Sequence, residues 1–227
     1  MKRAFSMLGI LILCHLVVPG IALAETLVSD AFALSGSNRK EAALLNGVAP
    51  EEGAGVWKTD RDTRFSAAGT IVCAQVAAPH VSSIAAEIDL PSPSSEVTVQ
   101  VDVVVSSSEW MGVGFQSKVN PANWFKAENL LWVMLKPDGR WQLWSEGITR
   151  SVAMGKIPGF HASDSHTLGL RYDPVAEVAF VLIDGADVSG AHSVKLPGAA
   201  IRSAGFNGLA ISSPGEASFD NFKVFTP

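Results

Sequence analysis

Cysteine is nearly absent: 2 in 227 residues. One of them, Cys14, falls in an apolar N-terminal run, which leaves Cys73 alone in the rest of the chain and excludes an intrachain disulfide framework. Cys73 lies in the β-like run Thr70–Gln75 and reads as a small buried hydrophobe rather than a reactive thiol. Positive charge is also scarce, with 17 Lys+Arg against 22 Asp+Glu and a formal net charge of −5. Such a balance does not favour nucleic acid or an anionic membrane as a partner. Past the N-terminus no apolar run is long enough to span a bilayer. Internal repeats, heptads, low-complexity tracts and glycine-flanked serine elbows are missing too. His161, Asp164 and His166 have loose metal-ligand character, but their spacing suits a helix face and they fall where a loop is expected, so zinc is set aside.

The N-terminus has the order of a secretory leader. Lys2 and Arg3 form a basic start, Met7 to Val18 an apolar run too short for a span, and Ala22-Leu23-Ala24 a small-residue cleavage pattern before Glu25. Leu13 precedes Cys14 where a lipidation signal has glycine or alanine, so a lipoprotein is not expected. Residues 1–24 are therefore expected to be a cleaved signal peptide, residues 25–227 a single domain, and the product secreted or periplasmic.

What is present is β pattern, and five of the 6 tryptophans lie between Trp110 and Trp144. Lys136-Pro137-Asp138-Gly139-Arg140 is a turn sequence: proline presets φ, aspartate suits the next position, and glycine takes the left-handed one. A three-residue loop there predicts pairing of Leu135 with Trp141, Met134 with Gln142, Val133 with Leu143 and Trp132 with Trp144. Alternation then separates an apolar core face (Leu131, Val133, Leu135, Trp141, Leu143) from a mixed one (Trp132, Met134, Lys136, Arg140, Gln142, Trp144). Val97 to Val105 alternates valine against mostly polar residues. Trp110 to Gln116 sets Met111, Val113 and Phe115 against Trp110, Gly112, Gly114 and Gln116, the glycines leaving room over the backbone. Further strands are expected at Leu27–Phe32, Ile71–Val76, Ile84–Leu90, His166–Tyr172, Val178–Ile183, Phe206–Ser212 and Ser218–Phe225. Residues 34–58 read as connecting loops with Trp57 entering a strand, and Gly147 to Pro158-Gly159 as another loop. Many short strands without a convincing helix predict an all-β, two-sheet antiparallel sandwich.

Ser29-Asp30-Ala31-Phe32, Gly112-Val113-Gly114-Phe115, the Pro137-Asp138-Gly139 hairpin, Val181-Leu182-Ile183-Asp184-Gly185 and Phe219-Asp220-Asn221-Phe222-Lys223-Val224 recur in an order that resembles the concanavalin A-like lectin/glucanase superfamily, in its laminin G-like group. The resemblance covers nearly all of the chain after the leader and implies a jelly-roll sandwich. Within that group, sugar binding and glycoside hydrolysis both occur, and fold does not choose between them.

A non-catalytic carbohydrate-binding module is the expected function, because indole rings stack on pyranose C–H faces while polar neighbours take hydroxyls. The candidate ligand contacts are Trp110, Trp124, Trp132 and Trp144, with Gln116, Glu128, Arg140 and Gln142. On this register Trp132 and Trp144 lie on an open face, where truncation leaves the fold intact, and Trp141 lies in the core. No catalytic residue is assigned. Laminarinase-type members carry a Glu-x-Asp-x-(x)-Glu strand; Glu87 and Asp89 match its start, but the third carboxylate is missing and Pro91 ends the strand, so a solvated edge is the expectation. A glycoside hydrolase with distant carboxylates, such as Glu109 with Glu128, is the rival, and a structural or protein-interaction domain the third reading. The resemblance also implies a structural calcium, with Asp30 and Asp220 as its acidic ligands and backbone carbonyls supplying the remaining oxygens.

Overall fold

The structure is a computed structural model that describes residues 24–35, 37–59, 63–73, 83–91, 95–118, 129–147, 149–194, 201–209 and 217–227. Among the described residues seventeen strands follow one another: β1 (Glu25–Asp30), β2 (Glu52–Gly53), β3 (Lys58–Thr59), β4 (Thr63–Phe65), β5 (Ile71–Cys73), β6 (Ser83–Asp89), β7 (Val97–Val104), β8 (Trp110–Gln116), β9 (Asn129–Leu135), β10 (Arg140–Ser145), β11 (Arg150–Lys156), β12 (His166–Asp173), β13 (Val178–Ile183), β14 (Ala186–Asp187), β15 (His192–Ser193), β16 (Ser203–Leu209) and β17 (Ser218–Thr226). No helix occurs among the described residues, and none there is long and apolar enough to cross a membrane.

The expected two-sheet sandwich forms. The first sheet runs β14-β13-β12-β7-β17-β1-β2, with β15 on β13 and β5 and β4 attached beside β17; the second runs β11-β10-β9-β8-β16-β6-β3. Every recorded strand pair is antiparallel. One continuous core lies between the sheets. It contains Val97, Val99, Val101 and Val103 of β7, Leu168, Leu170 and Tyr172 of β12, and Met111, Val113 and Phe115 of β8. The hairpin residues Leu131, Val133, Leu135, Trp141 and Leu143 complete the opposite wall. Each fully buried Val, Leu or Phe side chain stabilises the fold by about 1.5–3 kcal/mol. A one-residue slip would send a whole strand's set to the other face, so burial fixes the register.

The hairpin pairs as its turn sequence predicts: Trp141 with Leu135, Gln142 with Met134, Leu143 with Val133 and Trp144 with Trp132. The Lys136 N–H donates to the Arg140 carbonyl at 2.8 Å, and Gly139 takes the left-handed φ of 78°.

Several boundaries differ from expectation. β11 occupies what the sequence presents as a loop after Gly147. It is an edge strand, and its stretch Arg150–Lys156 has no alternation of apolar and polar residues because one rim faces solvent. β4 forms where no strand is expected, by pairing with β5. Residues 74–76 of the expected Ile71–Val76 strand and 210–212 of Phe206–Ser212 lie outside the described residues, as does the Cys73 side chain.

Trp57 does not simply enter a strand. It is fully buried, with ring centroids 5.7 Å from Phe32, 5.5 Å from Phe206 and 5.0 Å from Phe222. Its Nε1–H donates to Asp30 Oδ2 at 2.8 Å. Arg39, in the stretch 37–42 of consecutive turns rather than a helix, grips the same carboxylate from Nη1 at 2.7 Å and Nη2 at 2.8 Å. The buried Asp30 thus clamps a long loop and an aromatic cluster to the end of β1.

Candidate functional site

Alternation places the candidate residues on the outer face of the second sheet, with the core on its inner face. From the register, Trp110, Gly112, Gly114 and Gln116 of β8 point outward beside Trp132 and Met134 of β9, then Gln142 and Trp144 of β10. The structure brings the three tryptophans together. Trp110 and Trp132 have ring centroids 5.3 Å apart at 47°, and Trp132 and Trp144 stack at 6.2 Å and 15°.

The face is not open there, which corrects the expectation for Trp110, Trp132 and Gln116. Trp110 is 4% exposed, Trp132 1% and Gln116 1%. The first two join Met134 in an outer hydrophobic cluster, against which Trp144 and Leu209 pack. The glycines explain the closure. A Cβ at Gly114 would overlap Trp132 and lie 2.5 Å from the Leu131 carbonyl oxygen, and one at Gly112 would come 3.4 Å from the Trp132 ring. The room that the glycines leave is filled by the protein's own indole. Trp132 Nε1–H is engaged as well, donating to the Gly147 carbonyl at 2.7 Å. Trp144, only partly buried, keeps indole surface at the end of the row. Trp124 and Glu128 lie outside the described residues.

Beside the indoles the outer face holds a buried polar group that the sequence does not announce. Glu87, expected on a solvated edge, is fully buried, because β3 covers the flank of β6. Gln116 Nε2–H donates to Glu87 Oε1. Asp89 is exposed and pairs with Lys58 at 2.8 Å. Among the described residues, Ser203 Oγ, Asn207 Oδ1 and Trp144 Nε1 are buried on this face with no hydrogen-bond partner.

Toward the β11 edge the face opens into a groove of about 360 Å³ lined by Lys136, Arg140, Trp141, Gln142, Met154, Gly155 and Lys156. Two of the nominated residues, Arg140 and Gln142, are therefore on an accessible wall. Lys136, Met154 and Lys156 were not nominated; the hairpin register places Lys136, and β11 places Met154 and Lys156. Asp138 approaches Arg140 Nε at 2.5 Å. The Arg140 backbone N–H, first, and the Arg140 and Lys156 charges hold the Asp138 carboxyl below its usual range. A second, larger recess of about 590 Å³ opens between β11 and the Val188–His192 stretch.

The residues nominated for calcium do not fit the ion. Asp30 already accepts from Arg39 twice, from Trp57 and from the Phe32 N–H at 2.9 Å. Asp220 instead pairs across strands with Asp102. Calcium takes six to eight oxygens, and among the described residues no group of three or more His, Cys, Asp or Glu side chains is placed to hold a metal. His166 is likewise engaged, with Asp184 Oδ2 at 2.8 Å from Nδ1.

No protein-family model matches the chain, and no curated protein does. Solved structures do. A protein of unknown function with a galectin-like fold from Bacillus subtilis matches with TM-score 0.54 and 13% identity, over 74% of this chain and 88% of that one. The metal-free carbohydrate recognition domain of Emp46p matches with TM-score 0.53 and 12% identity, over 74% and 87%. The carbohydrate-binding module CBM66 from Bacillus subtilis matches with TM-score 0.50 and 13% identity, over 75% and 95%. The chain therefore has a lectin-like jelly-roll fold. Identity this low transfers no residue and no ligand.

Proposed function

We propose that the protein is an exported, non-catalytic carbohydrate-binding module whose ligand lies on the outer face of the second sheet, in the groove beside β11. The observation that carries this reading is the groove itself. It sets the Gln142 amide and the Arg140 guanidinium beside the exposed Met154 thioether, two residues along β10 from the exposed part of Trp144. That combination suits a saccharide, which offers C–H faces to an indole or thioether and hydroxyls to amides and cations. The lectin-like fold supports it in general terms. Export rests on the Lys2 to Ala24 leader pattern, and mass spectrometry of the processed protein should find Glu25 at its N-terminus.

A glycoside hydrolase of the same fold is less well supported. Retaining chemistry needs two carboxyls about 5–5.5 Å apart with access to substrate. The two described carboxylates of β6 on this face are differently engaged: Glu87 is buried against Gln116, and Asp89 is tied to Lys58.

A broad glycan array followed by titration calorimetry tests the proposal. Binding should be found, and Trp144→Ala and Gln142→Ala should each weaken it about two- to tenfold, in the range of single aromatic and hydrogen-bond contacts. A protein that binds no glycan, or binds one equally well after both substitutions, would remove the proposal.

A further inference from the structure

The groove gathers three cations. The register sets Lys136, Arg140 and Lys156 side by side across β9, β10 and β11: Lys136 N–H bonds to the Arg140 carbonyl, and Arg140 pairs directly with Lys156. All three positions point outward, since their neighbours Leu135 and Trp141 are core residues and Gly155 lies under the Trp141 ring. Like charges directly opposite on neighbouring strands destabilise a sheet. This happens in a chain where acidic residues outnumber basic ones, 22 to 17. Asp138 offsets part of the row through its contact with Arg140, and three cations against that one carboxylate leave the row positive. The Arg140 side chain remains 62% exposed.

We infer that this groove receives the acid groups of an anionic saccharide, a uronate carboxylate or a sulfate ester. The inference rests on the carbohydrate-binding reading and narrows it. An exposed guanidinium presents a planar fork of N–H donors to such an oxyanion, and the two lysines add point charges on either side. Gln142 and Met154, on the adjacent outward row, meet a sugar hydroxyl and a C–H face. A positive groove on a negative protein also orients an approaching polyanion, since the remaining surface repels it.

Titration calorimetry of the whole processed protein tests this with four probes: a uronate oligosaccharide from alginate, dextran sulfate, neutral dextran, and poly-glutamate as a polyanion without sugar. At least one charged saccharide should bind about tenfold or more tighter than neutral dextran, and most of that preference should disappear in about 0.5 M NaCl, where exposed charges are screened. Whichever of alginate and dextran sulfate binds identifies carboxylate or sulfate as the acid group. Lys136→Gln, Arg140→Gln and Lys156→Gln should each weaken binding about two- to fivefold, as exposed ion pairs do, with Tm held within about 2 °C. A charged-saccharide affinity unchanged in the triple variant, or poly-glutamate bound as tightly as the sugars, would overturn the inference. Binding of neutral glycans with no preference for charge would overturn it while leaving the carbohydrate reading in place. Failure to bind any saccharide, here and on the array, would remove both.

Discussion

Replacing Trp132 with alanine separates a closed outer face from an open one. The side chain is 1% exposed, rests on Gly112 and Gly114, and packs between the rings of Trp110 and Trp144. Truncating a buried aromatic of this kind costs about 3–5 kcal/mol. Losing the Nε1–H bond strands the buried Gly147 carbonyl and adds about 1 kcal/mol or more. For a domain of this size each kcal/mol moves Tm by about 2–4 °C, so Trp132→Ala should melt roughly 8–24 °C below the parent. Trp141→Ala, in the main core at 4% exposure, should fall by a similar amount. Trp144 has one stacked partner and keeps solvent-facing surface, so Trp144→Ala should cost only about 0.5–1.5 kcal/mol. Circular dichroism melts of the three variants, run side by side under reversible conditions, give the comparison. A Trp132→Ala protein melting within about 2 °C of the parent would refute the closed face, as would Trp144→Ala falling as far as Trp132→Ala.

Two further predictions concern charge. Asp30→Ala takes the buried carboxylate from the Arg39 guanidinium, leaving it only the Ala49 carbonyl and Glu51, and strands the Trp57 Nε1–H; it should cost about 3–5 kcal/mol in urea unfolding, and a loss below about 1 kcal/mol would show that the clamp does not hold the loop. For Asp220, burial first, and then the charges of Asp102, Glu51 and Asp30 against a lowering backbone hydrogen bond, raise the carboxyl pKa. A raised folded-state pKa means that the protonated form favours folding. That contribution is complete below the unfolded value of about 3.9 and is lost as pH rises through the folded value. Asp220→Asn should therefore be more stable than the parent at pH 7, by about 0.2–1 kcal/mol as for opposed like charges across strands, and the difference should vanish by about pH 3. A variant less stable than the parent at pH 7 would reverse the assigned sign.

Local chemistry made part of this fold legible. The Lys136–Arg140 hairpin needs only a proline, an aspartate and a glycine in the right order, and its register then sorts Leu131 through Trp144 into two faces. Val97–Val103 likewise declares its buried side by alternation. The openness of the outer face was not legible, because whether an outward residue meets solvent depends on its neighbours across strands. Gly112 and Gly114 of β8 read as free space, and the ring that occupies that space belongs to β9. β11 was missed because an edge strand with Gly155 beneath Trp141 has no alternation to read. Asp30 read as a metal ligand because its partners stand 9 and 27 residues away, out of reach of any local pattern.

The same cross-strand reasoning explains why the accessible groove lies where it does. Along one outward row the register runs Gly205, Gly114, Trp132, Trp144, Ser151. Glycines at one end let the first indole lie flat on the sheet, and the second stacks against it. At β11 the sequence supplies a serine, so no further ring continues the row and Trp144 ends it as a step. On the next outward row Gly112, Met134, Gln142 and Met154 follow one another, passing from buried to exposed in the same direction, with Met154 67% exposed. Both rows thus become more exposed toward β11, and the row of Lys136, Arg140 and Lys156 runs alongside them at the hairpin end. A ligand resting against the Trp144 step would have its acid groups directed at those cations. An aromatic residue substituted at Ser151 would extend the stack across β11 and cover the step, and binding should then fall while the stability of the sandwich is retained.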